Sequence, residues 1–219
     1  MAFNYWQDLE EGGTYHFYNR SVNRERLFID NQDYAFFLDK TRKYFMPYLD
    51  FYAYCLIPNH FHFLVEVKIL EESFKMALSK EKTKAADLLL MNKISVNTFL
   101  EDQYRRFFSS YALYYNQRYK RSGALFQKRF KRIAVENDVK QLKLLCYIHH
   151  NPIHHGLASN YQDWRYSSYS TFLSERPSSI NRNKVLEWLG SGNIDIGEAH
   201  FMEHHQTFKQ PLHKSWMLD

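Results

Sequence analysis

The chain has 219 residues and a formal net charge of +5; 45% of its residues are hydrophobic and 24% charged. This is the composition of a globular protein and excludes a disordered chain. It holds 17 Tyr and 18 Phe against 7 Gly and 5 Pro, and no apolar run approaches the roughly 20 residues of a membrane-spanning helix.

Tyr15 to Val22 reads as a first strand. Asp30 or Asn31 can cap a helix to about Tyr48, with Tyr34, Phe37, Leu38, Thr41, Tyr44 and Phe45 at helical spacing. Phe51 to Ile57 is a second strand, Pro58–Asn59 a turn, and His60 to Val67 a third strand, so the pair forms an antiparallel hairpin. Residues 69–97 are polar, Lys-rich and helix-prone, an insertion more than core. A long helix follows from Ser95 or Asn97 to Tyr119, then a basic loop, a short strand at Arg132–Val135, and a helix capped by Asn137 that ends near Asn151–Pro152. These elements predict an α+β fold, a ferredoxin-like antiparallel sheet with helices packed on it. A domain over 1–175 is expected, followed by a C-terminal helical extension over 176–219.

The acidic start of the chain is not a secretory signal, and Cys55 and Cys146 sit in apolar stretches, so a cytoplasmic protein without disulfides is expected. Between Gln103 and Val135 the chain carries Arg105, Arg106, Arg118, Lys120, Arg121, Lys128, Arg129, Lys131 and Arg132 and no acid, although it has 24 acidic residues in all. Aromatic residues are interleaved with these cations. Positive charge follows a phosphate backbone and rings stack on unpaired bases, so a polyanion is the expected partner. Most of these rings read equally as the core side of an amphipathic helix.

His60-Phe61-His62 follows the turn directly. Residues two apart on a strand face one side, so two imidazoles stand together roughly 6–7 Å apart, a ready pair of metal ligands, while Phe61, Phe63, Val65 and Val67 face the core. Phe63-Leu64-Val65 stands where a metallo-β-lactamase would need Asp and a further His, which excludes that chemistry. His200, Glu203 and His204 place the Glu wrongly for a zinc protease, and His149, His150, His154 and His155 read as core or surface histidines near a helix end.

On the late helix, Val139, Leu142, Leu145, Cys146 and His149 form the expected buried stripe. Tyr147 lies off it, sharing a face with Lys140, Lys143 and Asn151. Two readings stay open for that face. Cations or a metal activate the Tyr147 phenol toward phosphorus while Asn151 joins the imidazoles, or Tyr147 half-buries its ring and Asn151 merely ends the helix.

Pro58-Asn59-His60-Phe61-His62-Phe63-Leu64-Val65 resembles the HUH motif of single-strand tyrosine transposases. Arg121-Ser-Gly-Ala-Leu-Phe-Gln-Lys-Arg-Phe-Lys, then Tyr147-Ile-His-His-Asn-Pro-Ile-His-His-Gly-Leu, then Asp163-Trp-Arg-Tyr-Ser-Ser-Tyr resemble the REP-associated tyrosine transposases. The resemblance runs from about Tyr15 to Phe172. It implies that Tyr147 attacks a phosphate of single-stranded DNA, leaving a 5′-phosphotyrosine link and a free 3′-hydroxyl. It implies further that His60, His62 and Asn151 hold Mg²⁺ or Mn²⁺, and that the substrate is hairpin DNA. Under this reading Arg20, Arg121, Lys128, Arg129, Lys131, Arg132, Lys140 and Lys143 are the expected DNA contacts. No second phenol follows or precedes Tyr147 on its helix, and a monomer and a homodimer are both compatible with the motifs. The alternative is a catalytically silent DNA-binding module derived from this family.

Overall fold

Pro58 and Asn59 interrupt an apolar run, so the chain reverses between β2 (Leu49–Ile57) and β3 (His60–Val67), which pair antiparallel. β1 (Thr14–Arg20) lies antiparallel along the other edge of β3, and β4 (Lys131–Ala134) along β1. In this computed structural model, which describes residues 5–128 and 130–208, the sheet order is therefore β2-β3-β1-β4. With α1 (Asn31–Tyr44) between β1 and β2, and α4 (Val96–Arg118) between β3 and β4, this is the ferredoxin-like βαββαβ winding. β3 matches its expected bounds; β2 starts at Leu49, and β1 and β4 are each shorter or shifted by a residue or two.

Side chains alternate across the sheet. Phe17, Phe61, Phe63, Val65 and Val67 face α1 and α4 and are buried. Phe37 of α1 meets Phe61 at 5.1 Å and Phe107 of α4 at 4.9 Å between ring centroids, and Phe17 meets Tyr104 at 5.2 Å. Burying each such ring is worth about 1.5–3 kcal/mol, so this layer dominates stability. Asp30 starts α1 with a capping box, its carboxylate accepting from the Gln32 and Asp33 amides. Asp33, fully buried, accepts from Tyr119 at 2.8 Å, Tyr114 at 3.1 Å and Arg118 at 3.2 Å, which fastens the end of α4 to the start of α1. Arg118 of the basic run is thus an internal tie.

The expected insertion forms α2 (Glu72–Lys80) and α3 (Lys84–Leu90). It joins the core more fully than its composition suggests, because Phe74 and Leu78 are buried and Phe74 meets Tyr48 at 5.0 Å.

α5 (Asp138–His154) covers the opposite face of the sheet, chiefly over β2 and β3. It passes through Pro152 instead of stopping there. Its end is set by Gly156, at φ +65°, where the Leu157 and Gly156 amides return to the Pro152 and Ile153 carbonyls in a Schellman closure. The expected burial of α5 holds in part: Leu145, Cys146 and His149 are buried, whereas Leu142 is only half-buried and Val139 is 64% exposed. Leu144, Tyr147, Ile148 and Asn151, at helical spacing, are buried as well. α5 is buried on two sides because α7 (Ile194–Thr207), itself packed on α6 (Arg182–Leu189), covers its outer side. His149 meets Phe201 of α7 at 5.9 Å and Phe172 at 5.7 Å, and hydrogen-bonds to His205 at 2.8 Å. The C-terminal residues up to 208 therefore pack directly on the tyrosine helix; the remainder of the expected extension lies outside the described residues. No helix among the described residues is long and apolar enough to cross a membrane.

Candidate active site

His60 and His62 project from β3 toward α5, edge to face, with ring centroids 5.1 Å apart. The Tyr147 ring stands 5.5 Å from that of His62, also edge to face, in the same chain. Asn151, one turn further on, donates from Nδ2 to the Tyr147 carbonyl at 3.0 Å, which turns its Oδ1 away from its own helix. The sheet therefore brings His60, His62 and Tyr147 together, with Asn151 on the same face of α5.

All four are buried: His60 and Tyr147 are 3% exposed, Asn151 1% and His62 0%. Within this enclosure His62 Nε2 and Asn151 Oδ1 have no hydrogen-bond partner among the described residues. Buried polar atoms are normally paired, so two orphans on neighbouring elements mark a place for a ligand. Among the described residues no cluster of three or more His, Cys, Asp or Glu could hold a metal ion. The donor set here is of a different kind, two imidazoles and one amide oxygen.

Two residues that sequence reasoning missed complete the site. His16 of β1 places Nε2 at 2.8 Å from His62 Nδ1. Tyr18 of β1 sits directly opposite His62 in the ladder and stacks on His16 at 4.4 Å. Both lie in the apolar–aromatic run of β1, and only cross-strand register shows that they meet the His pair. Burial pushes the His16 imidazole down to about 3. The same cause holds His62 well below the ordinary range, followed by the neighbouring His16, His60 and His155. Both rings are therefore neutral at physiological pH. Burial also pushes the Tyr18 phenol up, with Tyr5 and Tyr147 adding to the effect.

No protein-family profile matches the chain. A curated relative from Haemophilus influenzae, named "Putative REP-associated tyrosine transposase", is 24% identical over 171 residues, covering 76% of this chain and 85% of the relative. A solved structure of a REP-associated tyrosine transposase bound to a REP hairpin superposes with a TM-score of 0.55 at 17% identity, covering 80% of this chain and 89% of the other. The chain is similar to the REP-associated tyrosine transposases. The resemblance carried by the motifs is thus found again in a relative that covers 76% of the chain and in the fold.

The cations expected to contact DNA divide by environment. Lys131 lies half-buried with its ammonium 5.3 Å from the Tyr18 ring centroid and 4.9 Å from that of Tyr5; burial and then Arg20 lower its pKa. Arg20 faces His60 across β1 and β3. These two border the His–Tyr cluster. Arg121 is engaged elsewhere, with Glu25 at 2.9 Å, the Ala124 carbonyl at 2.8 Å and Asn116 at 3.1 Å. Arg132, 7% exposed, holds Glu101 at 2.6 Å and the Gln7 carbonyl, so it braces the N-terminal segment against α4. Lys140 pairs with Glu136, and Lys143 is exposed one turn before Tyr147. Lys128 is exposed in the loop, and Arg129 lies outside the described residues.

Two arginines not singled out from sequence border the site instead. A groove of about 270 Å³ is lined by Arg24, Arg26, Pro58, Asn59, His155 and Leu157. It abuts His60 through Asn59, whose Oδ1 lies 2.8 Å from His60 Nδ1, and through His155, whose ring is 5.0 Å from that of His60. Arg24 and Arg26 are exposed, and among the described residues neither guanidinium makes an ion pair. Asn23 and Arg24 both hold φ near +55°, a left-handed pair that aims this turn. The Asn-Arg-Glu-Arg string was the available signal, and its central acid masked it.

Proposed function

We propose that this protein is a tyrosine transposase-like enzyme that cleaves and rejoins single-stranded DNA through a 5′-phosphotyrosine intermediate. The observation that carries the reading is the Tyr147 ring 5.5 Å from His62 within one chain, beside the orphaned His62 Nε2 and Asn151 Oδ1.

His60, His62 and Asn151 would hold a divalent cation, Mg²⁺ or Mn²⁺, which when bound supplies Lewis acidity toward phosphate oxygens. This chain's residues do the rest. The Tyr147 hydroxyl oxygen attacks phosphorus and forms the P–O bond as the bond from phosphorus to O3′ breaks. The phenol proton leaves to solvent, and O3′ takes up one proton. One phosphodiester replaces another, so no ATP is needed, and attack of a 3′-hydroxyl on the phosphotyrosine reverses the step. Packing of α5 between the sheet and α7 fixes the phenol, and neutral His16 keeps the proton of His62 on Nδ1, leaving Nε2 to accept. Arg24, Arg26, Arg20 and Lys131 supply positive charge along the approach, which positions a strand without reading its sequence.

Hairpin DNA is the proposed substrate, since the solved relative of the same fold is bound to a REP hairpin. His62 and Tyr147 lie 5.5 Å apart within one chain, which supports a reading in which cleavage needs no partner copy. The test is incubation with Mn²⁺ or Mg²⁺ and a hairpin oligonucleotide bearing a single-stranded flank. The expected result is a covalent protein–DNA adduct, absent in Tyr147→Phe, which still binds the oligonucleotide, and absent in His60→Ala. An adduct that persists in Tyr147→Phe overturns the assignment. Salt-dependent binding with no adduct under either metal favours the silent DNA-binding module.

A further inference from the structure

We propose that the hydroxyl of Tyr18 donates to a non-bridging oxygen of the phosphate that Tyr147 attacks, so that a second phenol, from the sheet, serves the same site. This inference rests on the proposed strand-cleaving function and extends it to a residue outside the motifs.

Tyr18 occupies the centre of a straight cross-strand row. It pairs with His62 on one side and with Lys131 on the other, while His62 pairs with Cys55 beyond. Its ring is 5.7 Å from His62 and 4.4 Å from His16, and Tyr147 is among the groups that act electrostatically on its hydroxyl. The residue is fully buried, yet its hydroxyl has no hydrogen-bond partner among the described residues. A buried hydroxyl without a partner is costly, and Phe would fill the same volume without that cost. The hydroxyl therefore gives the fold nothing, and its neighbours indicate what it meets. The Tyr18 ring lies 5.7 Å from that of His62 and Tyr147 acts on the Tyr18 hydroxyl, so the residue belongs to the cluster that the scissile phosphate of the proposed reaction has to approach.

Phenols are protonated at neutral pH, so Tyr18 is a donor there and not a rival nucleophile. Lys131 places its ammonium beside the same ring and lies half-buried between Tyr18 and Tyr5. Tyr18 is fully buried, so the proposed contact requires a neighbouring side chain to move, and Lys131, whose flexible ammonium lies 5.3 Å from the Tyr18 ring centroid, is the one proposed to do so.

The experiment uses the full chain with Mn²⁺ and a hairpin oligonucleotide carrying a single-stranded flank, with the nick mapped by the unmodified protein. Three readouts are compared for Tyr18→Phe. It is expected to melt at or above the unmodified protein and to form the Tyr147 adduct about tenfold or more slowly, as for a lost hydrogen bond to a charged group. In a Tyr147→Phe background, Tyr18→Phe should weaken binding to the phosphodiester oligonucleotide but not to one with a methylphosphonate at the nick. An unchanged adduct rate, an equal loss on both oligonucleotides, a lowered melting temperature, or an adduct on Tyr18 in Tyr147→Phe each overturns the proposal. If the unmodified protein forms no adduct, the strand-cleaving reading falls and takes this role with it; an active protein indifferent to Tyr18→Phe removes the role of Tyr18 alone.

Discussion

The Nε2 atom of His16 lies 2.8 Å from Nδ1 of His62, and both rings are buried and neutral. One of these nitrogens must carry the proton. If His62 is to accept or coordinate through Nε2, its proton sits on Nδ1 and His16 accepts it. Such partners of a ligating histidine fix tautomer and ring orientation, and their loss typically costs 10–100-fold in metal affinity. His16→Leu is accordingly expected to weaken Mn²⁺ binding by about that factor in calorimetric titration. His16→Gln, whose amide oxygen can accept the same proton, should retain most of it. Equal affinity in all three proteins would remove His16 from the site.

Under the proposed function the arginines separate into those expected to meet DNA and those that brace the fold. Arg24→Ala and Arg26→Ala should each weaken single-strand binding and lower the slope of log K against log salt by about 0.7. Arg132→Met should leave that slope nearly unchanged and lower stability by about 2 kcal/mol, because it breaks charge-assisted bonds to Glu101 and Gln7. Filter binding across a salt series, paired with thermal melts, distinguishes the two groups.

Stability should depend on pH through the His149–His205 pair. His149 Nδ1 lies 2.8 Å from His205 Nε2, and His149 Nε2 lies 2.8 Å from the Ser168 hydroxyl. The Nδ1 of His205 contacts the Phe201 carbonyl at 2.7 Å. Burial pushes His205 down to about 4 and holds His149 well below its usual value. Both are thus neutral in the fold while the unfolded chain protonates near 6.5, so the unfolded state binds more protons between these values. Their stabilisation is complete above about pH 6.5 and declines as the pH falls toward 4, for His205 alone on the order of 3 kcal/mol. Melting temperature should drop between pH 7 and 5, and His205→Leu should flatten that dependence.

α6 and α7 approach through Gly197. A Cβ there would lie 2.0 Å from the Leu186 carbonyl oxygen, a backbone atom that cannot step aside. Gly197→Ala gains helix propensity of about 1 kcal/mol but should lose more by overpacking, for a net fall in melting temperature. A raised melting temperature would show that the two helices can separate freely.

Much of the fold was legible because the chain punctuates it. Pro58–Asn59 and the alternation of His60 to Val67 delimit β3 to the residue, and Asp30, Ser95 and Asn137 do cap their helices. What escaped was whatever depends on a second layer. On α5 the later part of the expected stripe, Cys146 and His149, faces α7, while the face of Tyr147 meets the sheet, and helical periodicity cannot show that both are covered there. The roles of His16 and Tyr18 follow from register with β3, a long-range property of pairing. Arg121 and Arg132 looked like free charges because their acidic partners, Glu25 and Glu101, lie far away in sequence.

The embedding of α5 bears on how broken ends would meet. In the proposed reaction, with the sheet beneath it and α7 above, the helix would hold a strand linked to Tyr147 in place instead of ferrying it toward a distant acceptor. A 5′ end joined to that phenol would stay moored, and the choreography of exchange would fall to the nucleic acid. Folding of the DNA, by delivering a 3′ terminus to a stationary berth, would then decide which ends are sealed.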